Sequence, residues 1–143
     1  MNNYPMPAYR FIVDWGGDNV GFTEVSGLEA FNDISSYRDG SSPETSKIKM
    51  PGLRKYSNIT LKRGIISGNN NLYSWFNTIL DNIVERRDLT ISLLDDSGNP
   101  VVVWKVRNAW PARYSGPVLH SNDTCIAYEE LELAHEGFSV ESM

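Results

Sequence analysis

A change in hydrophobic period within Asn58–Val84 places the strongest constraint on how this chain folds. Over residues 58–66 apolar and polar side chains alternate, with Ile59 and Leu61 on one side, as is typical of a half-buried strand. Arg63 interrupts this apolar row. Further along, the apolar residues follow helical spacing and form one continuous stripe: Leu72, Trp75, Phe76, Ile79, Leu80 and Ile83.

The stripe predicts one amphipathic α-helix over about residues 70–84. Asn70 or Asn71 is the predicted N-cap, because an asparagine side chain can accept a hydrogen bond from a first-turn N–H. No other segment has this spacing, and the remaining apolar runs suggest roughly eight or nine short strands at intervals of about ten residues. The sequence therefore predicts a single, mainly β domain over residues 1–143, a β-sandwich or partly closed β-barrel with one flanking helix.

Alternation and turn residues place most of the predicted elements. The polar stretch Asp39–Ser46 predicts a projecting loop, about 38–50 with its flanks, either a solvated hairpin tip or a segment that orders on a partner. Lys47–Met50 predicts a short strand at its end. Pro51-Gly52 predicts a turn after it. The first hairpin is predicted from Ala8–Trp15 and Val20–Val25, and the second from Leu89–Leu94 and Val101–Arg107. Ala109–Ser115 is predicted as a separate strand, and Thr124–His135 as the last and longest strand.

Charge and composition exclude several classes of function. A formal net charge of −5 disfavours a nucleic-acid binder that works by neutralising phosphates. Residues 1–66 carry 8 basic and 7 acidic side chains (+1), and residues 67–143 carry 5 and 11 (−6), an asymmetry that suits either solvation or head-to-tail contacts between copies. The start has no charged region followed by an apolar run, and no long apolar segment follows, so we expect a soluble protein made in the cytoplasm without a signal peptide.

The residues that usually carry chemistry do not form a convincing site. His120 and His135 lack further ligands at zinc-site spacing, and Cys125 stands alone. Asp95-Asp96 fits a turn better than a pair of catalytic carboxylates, because neighbours on a strand point to opposite faces. We therefore predict no catalytic residue, no cofactor and no metal, and a protein that is not an enzyme.

The predicted strands leave unpaired backbone at the sheet edges. Thr60 and Lys62 also require one wet strand face. Because exposed edges are normally blunted or paired, an assembly that continues the sheet from copy to copy would satisfy both features.

Several blocks then occur in a familiar order: Phe22–Ala30, Tyr37–Gly40, Met50–Gly64, Arg107–Pro111 and Glu130–Gly137. Together they resemble the tail tube proteins of contractile phages and phage-like contractile injection systems, over about Tyr9 to Phe138. The resemblance implies a barrel-like subunit that forms hexameric rings. Stacked rings would make a hollow tube that conducts DNA or protein cargo inside a contractile sheath, in a phage tail or injection particle. Partners would be further copies, the sheath, a baseplate or spike and a terminator cap, with no specific nucleic-acid binding and no membrane segment.

Two alternatives remain, a tube-initiator or baseplate ring paralogue and a secreted hexameric ring of the type VI secretion kind. The resemblance also implies residues of subunit or ring interfaces: Arg38, Asp39, Gly40, Lys47, Lys49, Pro51, Gly52, Tyr56, Lys62 and Arg63. Three acidic residues on the last predicted strand alternate between its faces, so that at least one faces the lumen or a neighbour: Glu129, Glu130 and Glu132.

Overall fold

The computed structural model describes residues 4–18, 21–38, 40–41, 48–81, 83–122 and 124–143. Within them lie a short helix, α1 (Asn71–Phe76), and a 3-10 helix (Asn77–Asp81). The strands are β1 Phe11–Asp14, β2 Glu24–Ser26, β3 Ala30–Tyr37, β4 Ile48–Tyr56, β5 Ile59–Gly64, β6 Arg87–Leu94, β7 Pro100–Ser115, β8 Tyr128–Ala134 and β9 Phe138–Ser142.

Seven strands form one antiparallel sheet that is folded in two about the 16-residue strand β7. The first half of β7 pairs with β6 and β9, and β6 pairs with β1. The second half pairs with β8, followed by β5 and β2. Among the described strands, β1, β2 and β9 keep one unpaired edge each. The mainly β, incompletely closed fold predicted from the sequence is thus confirmed.

Alternation determines which side chains form the core. β5 and β8 each bury every second residue, including Ile59, Leu61, Leu131 and Leu133. Side chains from β6, β7, α1 and the end of β1 complete one cluster between the two halves of the sheet: Trp15, Leu72, Trp75, Leu89, Ile91, Val106 and Ala109. The apolar faces found in the sequence for β5 and α1 therefore meet in the structure.

The helix is shorter than the predicted 70–84. Thr78 Oγ1 donates to the Trp75 carbonyl at 2.8 Å, and the Trp75 indole N–H donates to the Glu85 carbonyl at 2.8 Å. A side chain that bonds the backbone competes with helix propagation, and the second contact holds the following segment against the helix. Asn70 is the N-cap, one of the two predicted residues, but its side chain makes no cap bond, and Asn69 Oδ1 accepts the Asn71 N–H at 3.1 Å.

Several predicted strand boundaries and pairings are wrong. β1 pairs with β6 and β2 with β5, so the predicted first hairpin does not form. Two predicted strands, Val101–Arg107 and Ala109–Ser115, are one strand that bends at Asn108, which has a positive φ of 52°. β8 is shorter than the predicted last strand, β7 is longer, and β9 follows as an additional strand.

Of the predicted loop at about 38–50, Ile48–Met50 belong to β4, where a short strand was predicted, and residues 39 and 42–47 lie outside the described residues. β3 and β4 form a separate two-stranded sheet, and Pro51 and Gly52 lie inside β4 instead of in a turn. The register shifts between Asn32 and Ile34, opposite these residues. A bulge and an edge are the positions at which a strand tolerates proline, since no ladder N–H is lost there.

Leu72→Ala should lower the free energy of unfolding by about 2–5 kcal/mol, because it leaves a cavity in the core. Ile83→Ala is the matched control: it belongs to the same sequence stripe, but Ile83 is 68% exposed, so a loss below about 1 kcal/mol is expected. Urea unfolding of both variants measures the difference. Equal losses would contradict this placement of the helix.

Candidate assembly surfaces

The β3–β4 hairpin stands away from the core. Every residue of its two strands is exposed except Asp33 and Tyr56, which are half-buried. Among the described strands, β3 and β4 pair only with each other. A two-stranded sheet is marginal in water by itself, so this hairpin requires support from its root or from a partner.

One face of the hairpin carries four large exposed apolar side chains. The register pairs Tyr37 with Ile48 and Ser35 with Met50, and alternation along β3 puts Phe31 on the same face. Their exposures are high for large apolar side chains: Phe31 48%, Tyr37 54%, Ile48 59% and Met50 47%. Ser35 and the 2.9 Å ion pair between Lys55 and Asp33 lie on the same face, between Phe31 and the other three residues. Exposed apolar side chains grouped in this way are typical of a protein–protein contact.

The hairpin is also basic relative to the rest of the chain. Residues 30–56 carry five basic and three acidic side chains (+2), which leaves 8 basic and 15 acidic side chains (−7) elsewhere. Arg38, Gly40 and Lys49 are exposed there, as an interface role requires. Asp39 and Lys47 lie outside the described residues.

The hairpin joins the body at a narrow root. The Tyr56 ring lies 5.6 Å from the ring of His135 and 5.2 Å from that of Phe138, between centroids. His135 Nε2 lies 2.9 Å from the Ser57 carbonyl oxygen, and the Gly137 N–H donates to His135 Nδ1 at 3.0 Å. Tyr56, predicted as an interface residue, therefore packs within its own subunit at this root.

A buried ionic network lies on the opposite side of β5 from the wet face. Arg63 Nε donates to Glu129 at 3.0 Å and Nη1 donates to Asp18 at 2.9 Å. Arg63 Nη2 donates to Asn69 Oδ1 at 3.0 Å, and the Tyr114 hydroxyl donates to the second oxygen of Glu129 at 2.9 Å. The network links β5, β7 and β8 to Asp18, which follows β1, and to Asn69, which precedes α1.

These contacts revise two sequence predictions. Arg63 is 1% exposed and Glu129 is 4% exposed within one subunit, so neither side chain reaches an interface or a lumen. A signal was present: each residue continues an apolar row, and β5–β8 pairing puts Arg63 opposite Glu129. The strand pattern gave no indication that Asp18, Asn69 and Tyr114 join this network, because none of them belongs to β5 or β8.

The other predicted acids have a different setting. Glu130 and Glu132 lie half-buried on the outer face of the β5–β8 pair with Lys62 and Thr60. Glu132 accepts a hydrogen bond from the Asn58 side-chain amide at 3.2 Å. This face carries both signs of charge and is open to solvent or to a neighbouring molecule.

Two kinds of site were sought in the described part of the chain, a metal site and a membrane-spanning helix. It contains no group of three His, Cys, Asp or Glu side chains that could hold a metal ion. None of its helices has the length and apolar character required to cross a membrane. His135 lies at the hairpin root, and His120 is fifteen residues away from it in the sequence.

The comparisons agree with this arrangement. Residues 7–139 match the family described as T4-like virus tail tube protein gp19. A chain in the sheath-tube complex of an extracellular contractile injection system, PVC in the extended state, superposes with a TM-score of 0.90 and 37% identity, covering 99% of this chain and 94% of that chain.

Two further solved structures are similar over almost their whole length. The anti-feeding prophage cap, a tube terminating cap, gives a TM-score of 0.90 and 38% identity over 100% of this chain and 95% of that one. The PVC sheath/tube terminator in the extended state gives 0.89 and 38%, over 98% and 99%. No curated protein matches by sequence.

The fold is an open antiparallel sheet with an exposed hairpin, and it is similar over its whole length to these chains. These features define a structural component of phage tails and contractile injection systems. The chain belongs to the T4-like virus tail tube protein gp19 family. The family resemblance found in the sequence is thereby confirmed.

Arg63→Leu should lower the free energy of unfolding by about 3–5 kcal/mol, because it leaves the buried Glu129 carboxylate without its cation. Lys62→Leu, one residue earlier, is the control. Its ion pair with Glu24 is 3.9 Å long and partly exposed, so a change within about 1 kcal/mol is expected. Urea unfolding of both variants measures the two changes. An Arg63→Leu variant as stable as the wild type would contradict the network.

Alkaline pH should weaken the fold through Tyr114. Burial, reinforced by the hydrogen bond to Glu129, raises the pKa of Tyr114 to about 12 from its ordinary 10.0. The neutral phenol therefore favours folding fully below pH 10, and this contribution is lost as the pH rises through about 12. Tyr114→Phe should reduce the loss of stability across this window in unfolding curves. An unchanged pH dependence would contradict the assignment.

Proposed function

We propose that this chain is the inner-tube subunit of a contractile tail or injection particle. Copies assemble into hexameric rings, and stacked rings form a hollow conduit for DNA or protein cargo that a contracting sheath drives outward. The observation that carries the proposal is the exposed apolar face of the β3–β4 hairpin, supported by the likeness to a chain of a sheath-tube complex.

Unpaired strand edges support lateral assembly. β1, β2 and β9 each have an edge without a partner strand in the described chain. Pairing such edges between copies adds backbone hydrogen bonds of about 1 kcal/mol each, which act together along a ring. The same pairing stiffens the ring, as a tube that is pushed through an envelope requires.

The hairpin supplies contacts to a neighbouring subunit or ring. In this assignment its basic and turn-like residues lie at the contact: Arg38, Asp39, Gly40, Lys47, Lys49, Pro51 and Gly52. Its positive charge suits the acidic remainder of another copy. The half-buried Lys62, Glu130 and Glu132 form a mixed polar wall suited to the lumen or to a lateral neighbour, and such a wall has little affinity for DNA in transit.

Ile48→Asp tests the hairpin contact. The side chain is 59% exposed, so the subunit should melt as the wild type does, while a charge on the apolar face should prevent tube formation. Val118→Asp, at 94% exposure in the loop after β7, is the control and should leave tubes intact. Electron microscopy of the purified chains measures this, and normal tubes from Ile48→Asp would refute the contact.

A second candidate is a ring that ends or begins a tube. It is favoured by the similarity to chains of the tube terminating cap and of the sheath/tube terminator, which is as high as that to a chain of the sheath-tube complex. Single rings of the wild-type chain in micrographs would support this role, whereas long tubes would support the inner-tube subunit.

A further inference from the structure

We propose that the exposed apolar side chains of the β3–β4 hairpin dock on a second copy of this chain, at a cluster of isoleucines on the opposite end of its body. The cluster consists of Ile65, Ile66 and Ile126, and it is called the isoleucine end below. The proposal rests on the function proposed above, in which copies stack, and it names the surface that receives the hairpin.

The isoleucine end lies where the pairing of β5 with β8 stops. The last pair of the register is Gly64 with Tyr128, and the Ile65 N–H still donates to the Ala127 carbonyl at 2.9 Å. A Cβ added to Gly64 would lie 3.6 Å from Ile126 Cγ2, so this side chain lies against the end of β5. Exposure is high for branched apolar side chains: Ile65 44%, Ile66 48% and Ile126 68%. Such a group is typical of a contact surface.

The hairpin and the isoleucine end lie at opposite ends of the β5–β8 pair. The hairpin root is at the end where Ile59 pairs with Leu133 and where Tyr56 packs on His135. Seven residues separate Ile59 from Ile66, an extended length of about 23 Å at about 3.3 Å per residue. Because the hairpin stands away from the body at its root and the three isoleucines remain exposed, one chain does not cover its own isoleucine end.

Two different surfaces at opposite ends are suited to head-to-tail contact. When one copy docks its hairpin on the isoleucine end of the next, the pair still has one free hairpin and one free isoleucine end. Further copies can therefore add in the same way, and contacts of this kind build open stacks when no rotation closes them. A contact of hairpin with hairpin would instead stop at two copies. The head-to-tail contact supplies the repeat that stacked rings require.

The distribution of charge favours the same pairing. The segments at the isoleucine end, residues 64–69 and 116–127, contain one acidic residue and no lysine or arginine. They add no cation that would repel the hairpin, whose residues 30–56 carry a net charge of +2. Lys62, the nearest lysine along β5, lies 4.9 Å from the centre of the Tyr128 ring and pairs with Glu24 at 3.9 Å.

The experiment uses two variants, each with one defective surface. Ile48→Asp places a charge on the hairpin, and Ile126→Asp places one on the isoleucine end. Both side chains are more than half exposed, 59% and 68%, so each variant should melt as the wild type does. Neither should form tubes in electron micrographs, because every junction between identical copies would include the defective surface.

An equal mixture of the two variants restores one junction. The intact hairpin of Ile126→Asp can dock on the intact isoleucine end of Ile48→Asp, whereas the two remaining surfaces are both defective. Each variant is assembled separately before mixing. Sedimentation velocity of the mixture should then show a species with about twice the mass of either assembly alone, with no larger one.

Two further variants control the result. Val118→Asp is the matched control, since Val118 is 94% exposed on the loop between β7 and β8, and this variant should form tubes. Ile66→Asp should replace Ile126→Asp in the mixture with the same doubling of mass, and it serves if Ile126→Asp fails to fold. A mixture without the doubled species would overturn the proposal, as would a Val118→Asp variant that behaves like Ile126→Asp.

The wild type separates this proposal from the tube function. Tubes from both the wild type and Ile126→Asp would leave the tube function in place and overturn the docking site. Pairs of wild-type rings without tubes would contradict the tube function, and a doubled mass in the mixture would then still support the docking site.

Discussion

The bend of β7 at Asn108 is the constraint on which the rest of the molecule depends. It lets one strand pair with β6 and β9 before the bend and with β8 after it, so that the two halves of the sheet close over one core. Asparagine tolerates the positive φ there, and its N–H is donated to Asp88 at 2.9 Å. Arg107 exchanges backbone bonds with Glu136 and Gly137 at the same point. The bend therefore also positions Glu136 and Gly137 beside the root of the hairpin.

Burial of charge within this core has an energetic cost that hydrogen bonds offset. One guanidinium faces two carboxylates, and a phenol hydroxyl and an amide satisfy further polar atoms. Such a group is a poor source of stability compared with a well-packed apolar one, but it is strongly destabilised when a member is lost. Its effect here is to join Asp18, Arg63 and Glu129, which lie on three separate segments, in a single arrangement.

Local patterns predicted much of the fold, and long-range contacts explain most of the errors. Alternation identified the buried faces of β5 and β8 because a period of two depends only on neighbouring residues. It could not show that β1 pairs with β6, since pairing is decided by distant segments. Pro51-Gly52 has the composition of a turn, but a bulge keeps it within β4. Arg63 and Glu129 were each predicted at an interface or lumen, because only the β5–β8 register shows that they lie opposite each other.

The contrast between body and hairpin explains why the site is harder to predict than the fold. The body buries its apolar rows and pairs its interior charges within one chain, so patterns in that chain describe it well. The hairpin leaves Phe31, Tyr37 and Ile48 exposed. Their burial depends on a second molecule, and the strand pattern of this chain contains no information about that molecule. Apolar area left uncovered in the subunit is free energy still to be gained on association, at about 25 cal/mol per Å². The core of the subunit is thus complete within one chain, and the apolar side chains of the hairpin are left for association.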